Sequence, residues 1–224
     1  MSEPELGTAA SKPEPAQSSG PTGHPVGRGR YLLTELLIVT VGVLIALSVD
    51  SLRQWREHVA LVDEARRNIA QEIRDNAKDL DNALGQVDTR RKQLDDAITL
   101  ADDVLAKRPS QIHHLELAWT VADISDANWK SAERTGALTY MEYAEVQRYS
   151  RLYDLQALFA DHQRQQVERV AAALSAITAD DPEKASIRDT EVFRDRVLAL
   201  RGDLIVVEQI GHALKEAYTT AGAK

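Results

Sequence analysis

Residues 50–107 read DSLRQWREHVALVDEARRNIAQEIRDNAKDLDNALGQVDTRRKQLDDAITLADDVLAK, with no proline and one glycine. Apolar or small residues fall at Ile73, Ala77, Leu80, Leu84, Val87, Leu94, Ile98, Ala101 and Leu105, three and four apart, interrupted only by Arg91. That spacing is a helical seam held over more than four heptads, with Asp, Arg, Lys and Gln on the other faces. It predicts one long helix, which Arg108-Pro109 ends. Most of the chain beyond Pro109 has to pack against that seam.

Two further helices supply the packing surfaces. One is predicted from Thr139 to Thr178, opened by a capping box at Thr139-Tyr-Met-Glu142. Its apolar positions are Val146, Tyr149, Leu152, Leu155, Phe159, Val167, Val170, Leu174 and Ile177, with a one-position stutter between Phe159 and Val167. The other runs from Thr190 to Tyr218 through Phe193, Val197, Leu200, Leu204, Val207 and Leu214, with Gly211 filling one seam place. Between them, Ser110–Leu138 is less regular, with a helix expected near Ile112–Ile124 and a short one after Asp126. The fold class is therefore all-α: an N-terminal transmembrane helix continuing into a long antiparallel helical bundle or coiled coil.

On the N-terminal side, Tyr31–Val49 (YLLTELLIVTVGVLIALSV) carries one charge, Glu35. As a helix it covers about 28 Å, close to the roughly 30 Å hydrocarbon core of a bilayer. Tyr31 and Trp55 flank it as interfacial aromatics, and Arg28, Arg30, Arg53 and Arg56 bracket it with positive charge. The reading is an uncleaved anchor; a cleaved signal stays open, because Leu36–Val49 alone matches an h-region and Ala46-Leu47-Ser48 a cleavage site. Glu35 reads as a headgroup-level carboxylate or, with Gly42 and Ala46, as part of a contact between copies. Basic residues are nearly balanced across the span, so charge alone does not orient it. Residues 1–30 hold five of the seven prolines and hardly a large apolar side chain, the composition of a disordered tail.

The organisation is thus a tail at 1–30, a transmembrane helix at 31–49 and a helical bundle at 50–224. Within the bundle, 50–67 is expected to be a membrane-proximal stalk, and 108–141 an irregular aromatic-rich tip at the far end. Composition limits function. Net charge is −8 and there is no cysteine, which points away from nucleic acid and removes disulfides and thiolate chemistry. No HExxH, GxSxG, Walker loop or GxGxxG occurs, so no catalytic residue, cofactor or metal is expected. His113-His114-x-Glu116 is the nearest thing to a ligand set, but adjacent helical residues diverge by about 100°. His162 reads as a bundle-edge histidine. Seven of eleven aromatics lie between Trp119 and Phe159. Trp119, Trp129, Tyr140, Tyr143 and Tyr149 are the candidate partner or ligand surface; the competing reading makes them filler for the bundle end.

The stretch Tyr31-Leu32-Leu33, Glu35, the span to Leu47, Asp50 and Trp55, with Trp129 and Gly136-Ala137-Leu138 further on, resembles a bacterial family of small, single-pass, membrane-anchored helical proteins of unknown function. The resemblance implies an inner-membrane protein with its helical domain in the periplasm, and brings no catalytic residues. Members usually have a more basic leader than this one. The expected role is a non-enzymatic scaffold or interaction module whose partners are the bilayer and an unidentified protein, with homo-oligomerisation open. The alternative is a ligand-sensing four-helix-type domain that signals through a partner.

Overall fold

The computed structural model describes residues 26–112, 114–117, 119–177 and 185–222. Among them the regular structure is helical: α1 (Val26–Leu84), α2 (Val87–Leu105), α3 (Ala127–Arg134), a 3-10 turn (Ala137–Tyr140), α4 (Tyr143–Leu174) and α5 (Ile187–Gly222). The expected disordered tail lies outside the described residues, except for residues 26–30, which belong to α1. The chain divides into two units, residues 1–53 and 54–224.

In the first unit, α1 carries the apolar stretch, with a mean hydropathy of 2.5 over its best 18 residues and none of that window buried. This is the one helix among the described residues long and apolar enough to cross a membrane. Its hydroxyls are satisfied internally: Thr40 Oγ1 donates to the Leu36 carbonyl at 2.8 Å and Ser48 Oγ to that of Leu44 at 2.7 Å. A helix that closes its own backbone and side-chain hydrogen bonds leaves no donor to strand in hydrocarbon.

The second unit has a core in two apolar clusters. One joins Ile69, Ile73 and Leu80 of α1 to Leu152 and Phe159 of α4 and Leu214 and Tyr218 of α5. The other joins Leu94 and Ala97 of α2 to Val170 and Ala173 of α4 and Phe193, Val197, Leu200 and Leu204 of α5. The predicted 50–107 helix is interrupted at Gly85-Gln86, yet the buried series Leu80, Ala83, Val87, Arg90 and Leu94 stays in phase across the gap. α2 stops where expected. Lys107 takes a left-handed φ of 53°, its N–H donates to the Val104 carbonyl and that of Arg108 to the Asp103 carbonyl, before Pro109. Those two bonds satisfy carbonyls that a helix end would otherwise leave open.

Inter-helix ion pairs give the pairing order. From α1–α2 to α5 they are Asp81–Lys215 (2.8 Å), Arg91–Glu208 (2.9 Å), Asp95–Arg201 (3.1 Å) and Asp102–Arg194 (2.5 Å), so one number rises as the other falls. From α1 to α4 both rise: Arg66–Glu145, Glu72–Tyr153, Asn76–Gln156. Gly211 lets two of these elements approach closely. A Cβ there would meet Leu84 Cδ2 at 2.8 Å and Phe159 Cε2 at 3.1 Å.

Besides the gap at Gly85-Gln86, several expectations are corrected. No helix covers Ile112–Ile124; the described residues from 114 to 126 run without regular structure until α3 begins. No capping box forms at Thr139–Glu142: Thr139 lies in the 3-10 turn and Glu142, the residue before α4, makes no side-chain cap. The α4 seam has no stutter. From Leu152 a buried three-four series runs 152, 156, 159, 163, 166, 170 and 173, with Gln156, Gln163 and Gln166 in it and Glu145 and Tyr153 buried besides, while Val167 and Leu174 are exposed. The stalk expected at 50–67 is packed over its second half: Val62 and Ala65 are buried with Ala132, Ala137 and Met141. Hence the aromatic-rich segment does not cap the end of the second unit remote from residue 54. Its Trp129 and Tyr140 pack beside residues 58–76, whereas Trp119 lies against Arg90 in the second cluster.

Candidate functional site

Glu72 organises the region, and its surroundings explain why. It lies at a core position of α1 and is 5% exposed. Oε1 accepts from the Tyr153 hydroxyl at 2.7 Å and the Trp129 N–H at 3.3 Å; Oε2 accepts from the Asn128 N–H at 2.8 Å and Ser125 Oγ at 3.1 Å. Residue Asp126, which precedes α3, makes no side-chain cap, so the Glu72 carboxylate caps that helix from a neighbouring one. An anion at a helix N-terminus gains from both the free N–H groups and the helix dipole.

One turn on, Asn76 Nδ2 donates to the Ser125 carbonyl at 2.7 Å, and the Ser125 N–H donates to Asn76 Oδ1 at 2.9 Å. Gln156 adds a second donor to that carbonyl at 2.8 Å and accepts from the Tyr218 hydroxyl at 2.7 Å. Gln163 accepts from the Ala122 N–H at 2.8 Å and faces its carbonyl with Nε2 at 3.5 Å. Arg90 donates to the Thr120 carbonyl, and its guanidinium lies 5.1 Å above the Trp119 ring. The side chains that occupy polar seam positions are thus those that hold the main chain of residues 120–125. A chain lacking helix or strand partners needs its backbone groups satisfied this way.

Burial, then the hydrogen bond to Glu72, raises the Tyr153 hydroxyl well above the usual phenol range; burial likewise raises Tyr218 and Tyr149. Of these, Tyr153 and Tyr218 donate hydrogen bonds, to Glu72 and Gln156. Burial lowers Arg90.

Beside this network, Arg66 grips Glu145 with two bonds, Nε to Oε1 at 2.9 Å and Nη2 to Oε2 at 2.7 Å. The hydrogen bond from Arg66 holds the Glu145 carboxyl below its ordinary range, opposed by burial, and the same bond raises Arg66. A depressed carboxyl contributes stability above its unfolded-state value, near pH 4.3, and loses it as pH falls through the folded value. With the Arg66 side chain 42% exposed, the pair contributes about 1 kcal/mol. Thermal melts of Glu145→Gln and the unmodified chain should therefore differ at neutral pH and draw together as the pH is lowered through and below the ordinary glutamate range. An equal gap at neutral and acidic pH would assign the effect to packing instead.

The five predicted aromatics separate. Trp129 stacks on Tyr153 at 5.2 Å and tilts against Tyr149 at 6.2 Å, joining the first core cluster. Tyr140, half exposed, stacks on His58 at 3.7 Å. Tyr143 is 77% exposed and its hydroxyl accepts from Gln147. Trp119 belongs with the second cluster, apart from the other four. His113 lies outside the described residues; His114 and Glu116 are exposed. Among the described residues no group of three or more His, Asp or Glu could hold a metal ion. Sequence reasoning missed Glu72, Asn76, Gln156 and Gln163. Their signal was polar residues in the three-four series, as at 156, 159, 163 and 166.

Compared with family models, characterised proteins and solved structures, the chain matches none of them.

Proposed function

We propose that the protein is a membrane-tethered helical scaffold or interaction module without catalytic activity. The observation that carries this reading is the contrast within one chain. Residues 31–49 are exposed throughout and apolar but for Thr34, Glu35, Thr40 and Ser48, whereas residues from Val62 onward close a core of their own. Nineteen such residues left in water would expose far more apolar surface than a soluble monomer carries, and a bilayer removes that cost. The contact order supports a three-helix arrangement in which α5 runs antiparallel to α1–α2 while α4 runs in the same direction as α1, so the second long helix is not the antiparallel return expected from the sequence. The stacking of Trp129 on Tyr153 and Tyr149 supports a packing role for these rings over a ligand pocket, and so disfavours the sensor reading.

The placement is the inner membrane with the domain in the periplasm, which follows from the family resemblance of the span. Its expected partners are the bilayer and a protein that cross-linking in native membranes would identify. Protease added to intact spheroplasts is expected to digest the helical domain and spare the residues before the span. Digestion of the N-terminal residues alone would reverse the orientation.

A further inference from the structure

Within the helical domain α4 and α5 run in opposite directions: Gln156 meets Tyr218, Phe159 packs at Gly211, Arg169 pairs with Asp203, and Arg196 donates to the Ala172 carbonyl. Between them lies a groove of about 390 Å³ whose lining comes from these two helices alone. Its floor is Leu155 of α4 with Ala213, Ala217 and Ala221 of α5. The apolar surface continues past it. Leu158, one turn on from Leu155, is 46% exposed, and Val206, two turns before Ala213, is 41% exposed. Alanines on the floor let another helix come close. The two walls differ in sign: Arg148 and Arg151 stand on α4 and Glu216 on α5, all three exposed.

We propose that this groove is the contact between two copies of the chain, related by a two-fold axis parallel to α4 and α5. A two-fold contact presents the same patch on both sides, so the patch has to complement itself. With the axis along the helices, α4 of one copy lies over α5 of the other and every residue keeps its level. Arg151 of each copy then faces Glu216 of the other, once on each edge, and four helices close over one apolar seam. An axis running across the helices at this level would set arginine on arginine and glutamate on glutamate. A simple anion would meet Arg148 and Arg151 but also the like charge of Glu216. The partner these walls ask for carries both signs at one level, an acid opposite α4 and a base opposite α5, which is what a second copy carries. Burial of the floor supplies the affinity and the charges fix the register.

Sedimentation equilibrium of the full-length chain in density-matched detergent measures the association, and the unmodified chain is expected to dimerise. Residues 151, 213 and 216 are exposed, so substitutions there spare the core. Arg151→Glu and Glu216→Arg should each weaken the dimer by roughly ten-fold or more. The double variant, with the charges exchanged, should return to within about three-fold of the original. Ala213→Arg, which puts a long charged side chain on the floor, should leave monomers that keep the helical circular-dichroism spectrum of the unmodified chain. Monomers of the unmodified chain at every concentration would overturn the proposal and leave the groove to another partner. Dimers equally strong in all four variants would place the contact elsewhere, the apolar helix included, and overturn it too. Weakening in both single variants without recovery in the double would refute the pairing of Arg151 with Glu216 and with it the axis.

Discussion

Replacing Glu72 with alanine is expected to lower the unfolding free energy of the helical domain by about 3–5 kcal/mol. The carboxylate accepts from Tyr153, Ser125 and the N–H groups of Asn128 and Trp129, and at 5% exposure water cannot take its place. Each buried donor stranded in this way costs about 1–3 kcal/mol, and their shared dependence on one acceptor keeps the total below the simple sum. Loss on that scale is a large part of the roughly 5–15 kcal/mol by which a domain is stable. Glu72→Gln keeps one carbonyl oxygen facing Tyr153 and should lose about half as much. Urea unfolding of the detergent-solubilised chain, followed by circular dichroism, measures both. A loss under about 1 kcal/mol for Glu72→Ala would mean that the α3 cap is dispensable.

The second large effect belongs to the apolar stretch. Leu44 is 57% exposed on α1, within the apolar stretch. Leu44→Arg should cost about 2.5–3.5 kcal/mol on insertion, a shift of roughly 100-fold in the inserted fraction, whereas Leu44→Ala should change little. Alkaline extraction of membranes reads this directly: the arginine variant moves into the supernatant, and equal retention of both variants would detach the apolar stretch from membrane anchoring. The folded domain should keep its thermal unfolding in both variants, since its core begins at Val62.

Much of this architecture is legible in the residues. The α5 seam from Phe193 to Tyr218 reads position by position, Gly211 included, because every member but that glycine is large and apolar. The stop at Arg108-Pro109 is equally plain. The α4 seam escapes a reading that follows apolar residues, because the structure follows geometry. Gln156, Gln163 and Gln166 keep the three-four spacing, while Val167 and Leu174 fall beside it. The expected helix at Ile112–Ile124 fails for a related reason. Leu115, Leu117 and Trp119 are partly covered while His114, Glu116 and Thr120 are exposed, an alternation of period two that marks extended chain. The aromatic segment lies at the other end from the one expected because helix lengths alone say nothing of where an irregular connection leads. That connection returns along the helices, held by Arg90, Gln163 and Asn76, before α3 forms on Glu72. Glu72 itself is invisible in the sequence as a capping residue, since its partner helix lies more than fifty residues on.

Everything proposed for this protein depends on one uncleaved chain combining a membrane-crossing helix with a self-contained helical domain. Intact-mass measurement of the protein recovered from the membrane fraction tests this most directly. The expected mass includes the whole of Tyr31–Val49 joined to the helical domain, and a species beginning near Val49, released in soluble form, would contradict it.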